Sequence, residues 1–471
     1  MHRSSSYLAR VVIAGLIAGG MSFPEAALAA KASKAPRSAD PLPRRAFLGT
    51  QVAPLSAETR ARQKLADSSG VEIVRVIPGS SAEAAKLRAG DVVVSIDRTP
   101  VGRPQDFVRT VGSKKGKPAI ELVLWRDGSR RTQRVPLRPM PREESPDYEV
   151  EYASVESSGG RLRLLWTRPR GEAARRPALF LIQGVGTFSV ENVPATTGGY
   201  AAIIDDFTRR GYVTLRVDKP GCGDSEGGPL QDVDFDTQLD GFRQALRTLR
   251  SDPRVDPDRI LIFGHSMGGV WGPLLATEMP VHGIAVYGTL SRTWLEYLLE
   301  NDRRQTALAG ISPGAVDSSV AILADAHYWM SRKGLTPDQA IEKDPSLEAW
   351  VDSTLTQGTY FAGLHYRFLH QISAKSLGAA WSAFPGHALA LWGRGDFVSS
   401  EADHRLIASL VNQSNPGRGE FRVLETSDHG FYRSASERES WERQGRPGEF
   451  NPEIVAVLKE WSDRIASPSV N

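Results

Sequence analysis

Cysteine, long apolar runs, an excess of one charge and metal-type clusters are all scarce in this sequence, and each scarcity excludes something. Of 471 residues only Cys222 is a cysteine, so no intramolecular disulfide can form and stability must come from an apolar core. Lys and Arg number 58 against 55 Asp and Glu, a formal charge of +3, and no dense basic block with interleaved aromatics occurs. Nucleic acid is therefore not an expected partner. His, Cys, Asp and Glu do not recur at metal-ligand spacing, and His365 and His370 would not share a helix face. No metal and no cofactor is expected. The apolar run from Val11 to Gly20 is too short for a stable membrane span. With Arg3 and Arg10 before it and Ala27-Leu28-Ala29 after it, it reads as a signal peptide over residues 1–29. The protein is expected to be exported, periplasmic or secreted. No Arg pair marks a twin-arginine route, and Cys222 lies too far along the chain for a lipid anchor.

What is present centres on I-L-I-F-G-H-S-M-G-G, Ile260 to Gly269. An apolar, β-prone run stops at a glycine and a second glycine follows Ser266, the pattern of a buried strand, a very tight turn and a helix. Such a turn strains Ser266 and exposes its hydroxyl between small neighbours, which points to a nucleophile.

Before that stretch, residues 30–42 are rich in Ala, Ser, Pro and Lys and read as a linker. Residues 43–139 carry alternating strand-like runs, a short helix from Ser81 to Leu87 and a tight turn at Ala89-Gly90-Asp91. With A-G-D-V-V-V-S-I-D as its most specific part, this region resembles a bacterial PDZ domain of the permuted kind found on exported proteases. The resemblance implies that the loop of Ala46, Phe47, Leu48 and Gly49 offers N–H groups to a peptide C-terminus, with the peptide added as a strand beside it. Arg98-Thr99 and Lys86 depart from the glycines usual in that family.

Residues 140–147, rich in proline and charge, read as a hinge to a domain spanning 148–471. There a hairpin (Tyr148 to Val155, Leu162 to Thr167) precedes strands and helices in alternation, which predicts an α/β fold with a mainly parallel sheet covered on both faces. G-H-S-M-G, the Q-G-V-G loop at Gln183 to Gly186, and D-K-P-G-C-G-D-S-E-G from Asp218 together resemble an α/β-hydrolase. The resemblance implies a base and an orienting acid in chain order after the nucleophile. Asp396, just past the strand His387 to Gly393, is the expected acid, with Asp403 as runner-up. His429, in S-D-H-G-F-Y beyond a last strand, is the expected base. The N–H groups of Val185 and Met267 are the expected oxyanion donors; Gln183 stands where the family commonly has His. Cys222 is expected to be a bystander. Residues 291–384 are an insertion carrying Trp294, Tyr297, Trp329, Trp350, Tyr360, Phe361, Tyr366, Phe368 and Trp381. It is expected to form a helical cap, its aromatics forming its own core, lining an acyl pocket, or both.

The expected activity is hydrolysis of a small acyl ester or thioester. A serine peptidase of the aminopeptidase or prolyl-peptidase kind, and a non-catalytic peptide-binding scaffold, are the alternatives.

Overall fold

The computed structural model describes residues 42–65, 69–171, 175–193, 198–443, 446 and 448–466; the expected signal peptide and all of the linker but Leu42 lie outside them. Within these residues the chain divides after Arg142 into two compact units.

The first unit runs β1 (Ala46–Phe47), β2 (Thr50–Pro54), α1 (Ala57–Arg62), β3 (Val71–Val76), α2 (Ser81–Ala84), β4 (Val92–Ile96), β5 (Thr99–Pro100), α3 (Pro104–Gly112), β6 (Ala119–Arg126), β7 (Ser129–Pro136) and β8 (Arg138–Pro139). Strands β2-β3-β4-β6-β7 form one antiparallel sheet with β2 at its edge, and β1 pairs with β8. Alternation along β6 sends Ile120, Leu122 and Leu124 into a core with Val71, Ile73, Val93 and Phe107. Leu48 joins that core, and the carbonyls of Leu48 and Gly49 accept the N–H groups of Ala82 and Ile77 at 2.8 and 2.9 Å. Helix α3 escapes sequence patterning because Phe107 and Val111 alone carry its inward apolar face, while Val108 stays 64 % exposed.

The second unit opens with the hairpin of β9 (Tyr148–Ser157) and β10 (Gly160–Pro169). Then follow β11 (Arg176–Ile182), α4 (Gly199–Arg209), β12 (Val213–Val217), α5 (Phe235–Ser251), β13 (Val255–His265), α6 (Gly268–Glu278) and β14 (Gly283–Tyr287). The insertion comes next: α7 (Trp294–Leu308), α8 (Pro313–His327), α9 (Pro337–Lys343), α10 (Glu348–Thr354), β15 (Leu355–Thr356), β16 (Tyr360–Phe361), β17 (Leu364–His365), α11 (Tyr366–Ser373) and α12 (Leu377–Ala383). The unit closes with β18 (His387–Gly393), α13 (Glu401–Ser414), β19 (Gly419–Leu424), α14 (Glu437–Arg443) and α15 (Glu453–Ala466).

The sheet order is β19-β18-β14-β13-β11-β12-β10-β9, parallel from β19 to β12 and antiparallel at the hairpin. Both faces are apolar because the central strands alternate between two cores. Phe180, Ile260, Ile262 and Ala390 face α5 and α6, whereas Leu181, Leu261, Phe263 and Leu391 face α4 and α15.

The insertion differs from a purely helical cap in two ways. Leu355 to His365 fold into a three-stranded antiparallel ribbon. Helix α12 packs on α6 and α13, within the layer that covers the sheet. Trp294, Tyr297, Phe361, Phe368 and Trp381 are buried in the same core as α5 and α6, and the Phe368 ring meets Phe235 and Trp271 at 5.4 and 6.4 Å. Among the described residues no helix is long and apolar enough to cross a membrane.

Candidate active site

Ser266 stands at the junction of β13 and α6 with φ of 54°, a left-handed backbone that costs an L-residue on the order of 1–3 kcal/mol. The flanking glycines make this turn possible. A β-carbon on Gly264 would fall 2.6 Å from the Gly268 carbonyl oxygen, and one on Gly268 would fall 2.0 Å from that of Ile182. The reason for G-x-S-x-G here is thus backbone against backbone, rather than open space around the hydroxyl. The Ser266 N–H is tied to the Tyr287 carbonyl at 2.8 Å, and Met267 sits at the N-terminus of α6, where helix dipoles favour negative charge.

Asp396 and His429 lie in the loops after β18 and β19. The His429 Nδ1 is 2.9 Å from Asp396 Oδ2. The carboxylate also accepts the N–H groups of Val398 and Ser399 at 2.8 and 3.0 Å and the Ser399 hydroxyl at 2.6 Å. Burial alone would raise its pKa, but the His429 ring and the Ser399 donors outweigh burial and hold Asp396 well below the usual carboxylate range. An ionised Asp396 only accepts, so Nδ1 of His429 carries hydrogen and Nε2 is left as a proton acceptor. Burial pushes the imidazole down, Asp396 pushes it up, and the net is a pKa above the ordinary 6.5. Ser400 caps α13.

Asp403 is occupied elsewhere. It binds the N–H groups of Ser291 and Arg292 at 2.9 and 3.1 Å and the Arg292 guanidinium at 2.8 Å. His404, His282 and His365 bond to Ser400 and Thr289, to Ile465, and to Arg367 respectively, all through the backbone. Cys222 is buried in the turn after β12, its N–H on the Lys219 carbonyl at 3.0 Å. Among the described residues no three His, Cys, Asp or Glu side chains are grouped to hold a metal ion.

The Q-G-V-G loop follows β11 and passes against the serine: a β-carbon on Gly184 would fall 2.9 Å from Ser266 Cβ and 3.3 Å from its Oγ. Its supports were not readable from the sequence. The Gly184 N–H donates to the Tyr200 hydroxyl at 3.3 Å, Tyr200 lies 2.7 Å from His265 Nδ1, and His265 Nε2 lies 2.9 Å from the His429 carbonyl. A carbonyl only accepts, so His265 donates from Nε2 and accepts the Tyr200 hydroxyl at Nδ1. Burial, the leading cause, lowers the His265 pKa to about 3, which keeps the ring in the neutral form this chain requires. Lys219 donates to the Gly184 carbonyl at 2.7 Å. Gln183, buried completely, has no partner for either amide atom among the described residues.

The loop that carries Asp396 is gripped by α7. Asn301 and Tyr297 donate to the Val398 carbonyl at 2.7 and 3.2 Å, Gln305 to that of Phe397 and Arg304 to that of Asp396, both at 3.4 Å. The four residues recur at helical spacing, but the sequence does not say what they face. The Ala46 to Gly49 loop belongs to the first unit.

A parallel sheet of this order, with a strained serine after β13 and the Asp396–His429 pair on later strand ends, defines an α/β-hydrolase. The chain belongs to the serine aminopeptidase S33 family, matched over residues 194–432, and a PDZ domain is matched over residues 46–137. It is 31 % identical to a polyketide transferase of Stachybotrys chlorohalonatus over 31 % of this chain and 44 % of the relative. It is 30 % identical to a probable periplasmic DegP-like serine endoprotease of Rhizobium meliloti over 21 % of this chain and 19 % of the relative. The chain thus spans less than half the length of these curated relatives. Among solved structures, Est1E of Butyrivibrio proteoclasticus aligns at 12 % identity and a TM-score of 0.40, over 67 % of this chain and 99 % of that one.

Proposed function

We propose that the protein is an exported serine hydrolase that cleaves an ester or thioester through an acyl-Ser266 intermediate. Ser266 Oγ attacks the carbonyl carbon while His429 Nε2 takes its proton. The tetrahedral oxyanion is met by the N–H groups of Met267 and Val185. The carbonyl re-forms, the leaving oxygen or sulfur departs with the proton from His429, and water then repeats the sequence on the acyl group. Asp396 holds the ring tautomer and stabilises the imidazolium.

The observation that carries this reading is the strained Ser266, with φ of 54°, on the same sheet end as a His429 whose Nδ1 is held at 2.9 Å by Asp396. The residues named suffice for an oxygen or sulfur leaving group. Export is supported by the features of residues 1–29 and by the periplasmic relative. Peptide binding by the first unit is supported by its PDZ match and by β2, an edge strand able to take an added strand. That match and the family's aminopeptidase description also support the second reading, a peptidase.

Fluorophosphonate labelling of the protein beside Ser266→Ala, with p-nitrophenyl esters and aminoacyl p-nitroanilides as substrates, tests both. Labelling lost in the variant, with ester turnover, is the expected result. Turnover of the anilides instead selects the peptidase. Absence of labelling in the folded protein removes the serine mechanism and leaves a binding scaffold.

A further inference from the structure

Lys219 is 1 % exposed, and a buried ammonium costs several kcal/mol of lost hydration even after the protein relaxes around it. Cys222 and Asp218 offset part of that cost through their charge. Asp218 is turned to the Ser189 hydroxyl and the Val190 N–H at 2.8 and 2.7 Å. Cys222 shares the turn, and the Phe188 ring lies 5.5 Å from the ammonium. The strong contact that the ammonium makes is with the Gly184 carbonyl, at 2.7 Å.

That carbonyl and the Val185 N–H are two ends of one peptide group. In a trans peptide they lie in one plane and point in opposite directions, and among the described residues the sole cis bond is Gly228–Pro229. A donor gripping the oxygen therefore sets the direction of the N–H. A charged donor also draws electron density toward the oxygen, which makes the N–H a stronger donor in its turn. Gly184 is fixed on its other side by Tyr200, so the loop has little freedom to turn the peptide away.

We propose that Lys219 is a positioning residue of the oxyanion hole, aiming and polarising the Val185 N–H through the Gly184 carbonyl. The inference rests on Val185 being the second oxyanion donor. It explains why a lysine is buried in the D-K-P-G-C-G turn, where the fold itself asks only for a tight backbone. Burial lowers the Lys219 pKa to about 8, with Cys222 and Asp218 opposing. The group is cationic at neutral pH and in mild alkali becomes an amine that still donates, but without its charge.

The test is the second-order rate of fluorophosphonate labelling of Ser266 across pH, since that reaction also places an oxygen in the oxyanion hole and needs no known substrate. Lys219→Met keeps the stem and removes the donor. It is expected to label about ten- to a hundredfold more slowly, less than the 10²–10³ of losing a donor outright, and to lack the alkaline decline of the parent near pH 8. Lys219→Arg, charged throughout this range, should recover part of the rate and also lack the decline. A folded Lys219→Met with the parental rate and profile overturns the relay; if that variant does not fold, an alkaline decline persisting in Lys219→Arg overturns it. Val185→Pro removes the N–H itself. Undiminished labelling there overturns the donor assignment on which the relay depends, whereas loss of labelling in Val185→Pro beside an unaltered Lys219→Met overturns the relay alone.

Discussion

Asp396 and Asp403 sit at the two ends of one short segment, from the end of β18 into the first turn of α13, and both are completely buried. Each accepts two backbone N–H groups, each accepts a serine hydroxyl, and each is held ionised below its ordinary 3.8. The difference is the last partner. Asp403 faces Arg292, whose charge is permanent; Asp396 faces His429, whose charge can change. A buried carboxylate opposite a fixed cation is a fastener, because nothing in the pair responds to a reaction. Opposite a neutral imidazole, the same carboxylate is a charge waiting for the proton that Ser266 would release.

The widest separation between them is expected in catalysis. Asp396→Asn can donate to Nδ1 and favours the wrong tautomer, so ester turnover should fall on the order of 10⁴-fold with the melting temperature little changed. The residual activity should also move in pH. His429 must be neutral to accept a proton, so the acid limb of kcat/KM reports its pKa, which Asp396 raises above 6.5. Without the carboxylate the limb shifts to lower pH. An Asp396→Asn variant with a near-parental rate, or with the limb unmoved, would return Asp396 to the same standing as Asp403.

In stability the order reverses. Arg292→Met leaves Asp403 buried without its cation, and the loss should be about 3 kcal/mol, the low end for breaking a buried pair because the Arg292 side chain keeps 24 % exposure. The sign with pH follows from the lowered pKa. The contribution of Asp403 is complete above 3.8 and disappears as pH falls toward about 2, so the gap between parent and variant should close over that window. Denaturant melts at several pH values would show it, and a gap constant with pH would mean that the pair is not the cause.

How much of this could be read from residues alone depends on how local the cause is. The sheet was legible because whole strands are apolar on both faces, and the Ser266 turn because Gly264 is required by the Gly268 backbone a few residues on, although Gly268 itself answers to the distant Ile182 carbonyl. Asp396 could be preferred to Asp403 by its place just past a strand, though not by anything in its own neighbours in sequence. The ribbon at Leu355 to His365 was invisible because strands of two residues carry no period. Lys219, Tyr200 and the donors on α7 were invisible for a different reason: their partners are distant in the chain, and a lysine, a tyrosine or an asparagine shows no preference for a particular carbonyl until the fold delivers one.

Helix α7 offers the finest test of the contrast, since it carries donors to the Asp396 loop while Arg292, just ahead of it, binds Asp403. Asn301 donates to the Val398 carbonyl at 2.7 Å and to the Tyr297 hydroxyl at 2.8 Å, and Val398 in turn gives its N–H to Asp396. Asn301→Ala removes one of several clamps, so the carboxylate should keep its charge and lose only some of its placement. The expected result is a drop in kcat of about tenfold with KM unchanged, the signature of an interaction felt mainly in the transition state. The acid limb should stay where it is, because the His429–Asp396 pair is intact. A limb that moves with Asn301→Ala would mean that α7 sets the charge of the pair as well as its position, and the distinction between a fastener and a responsive carboxylate would then extend into the insertion.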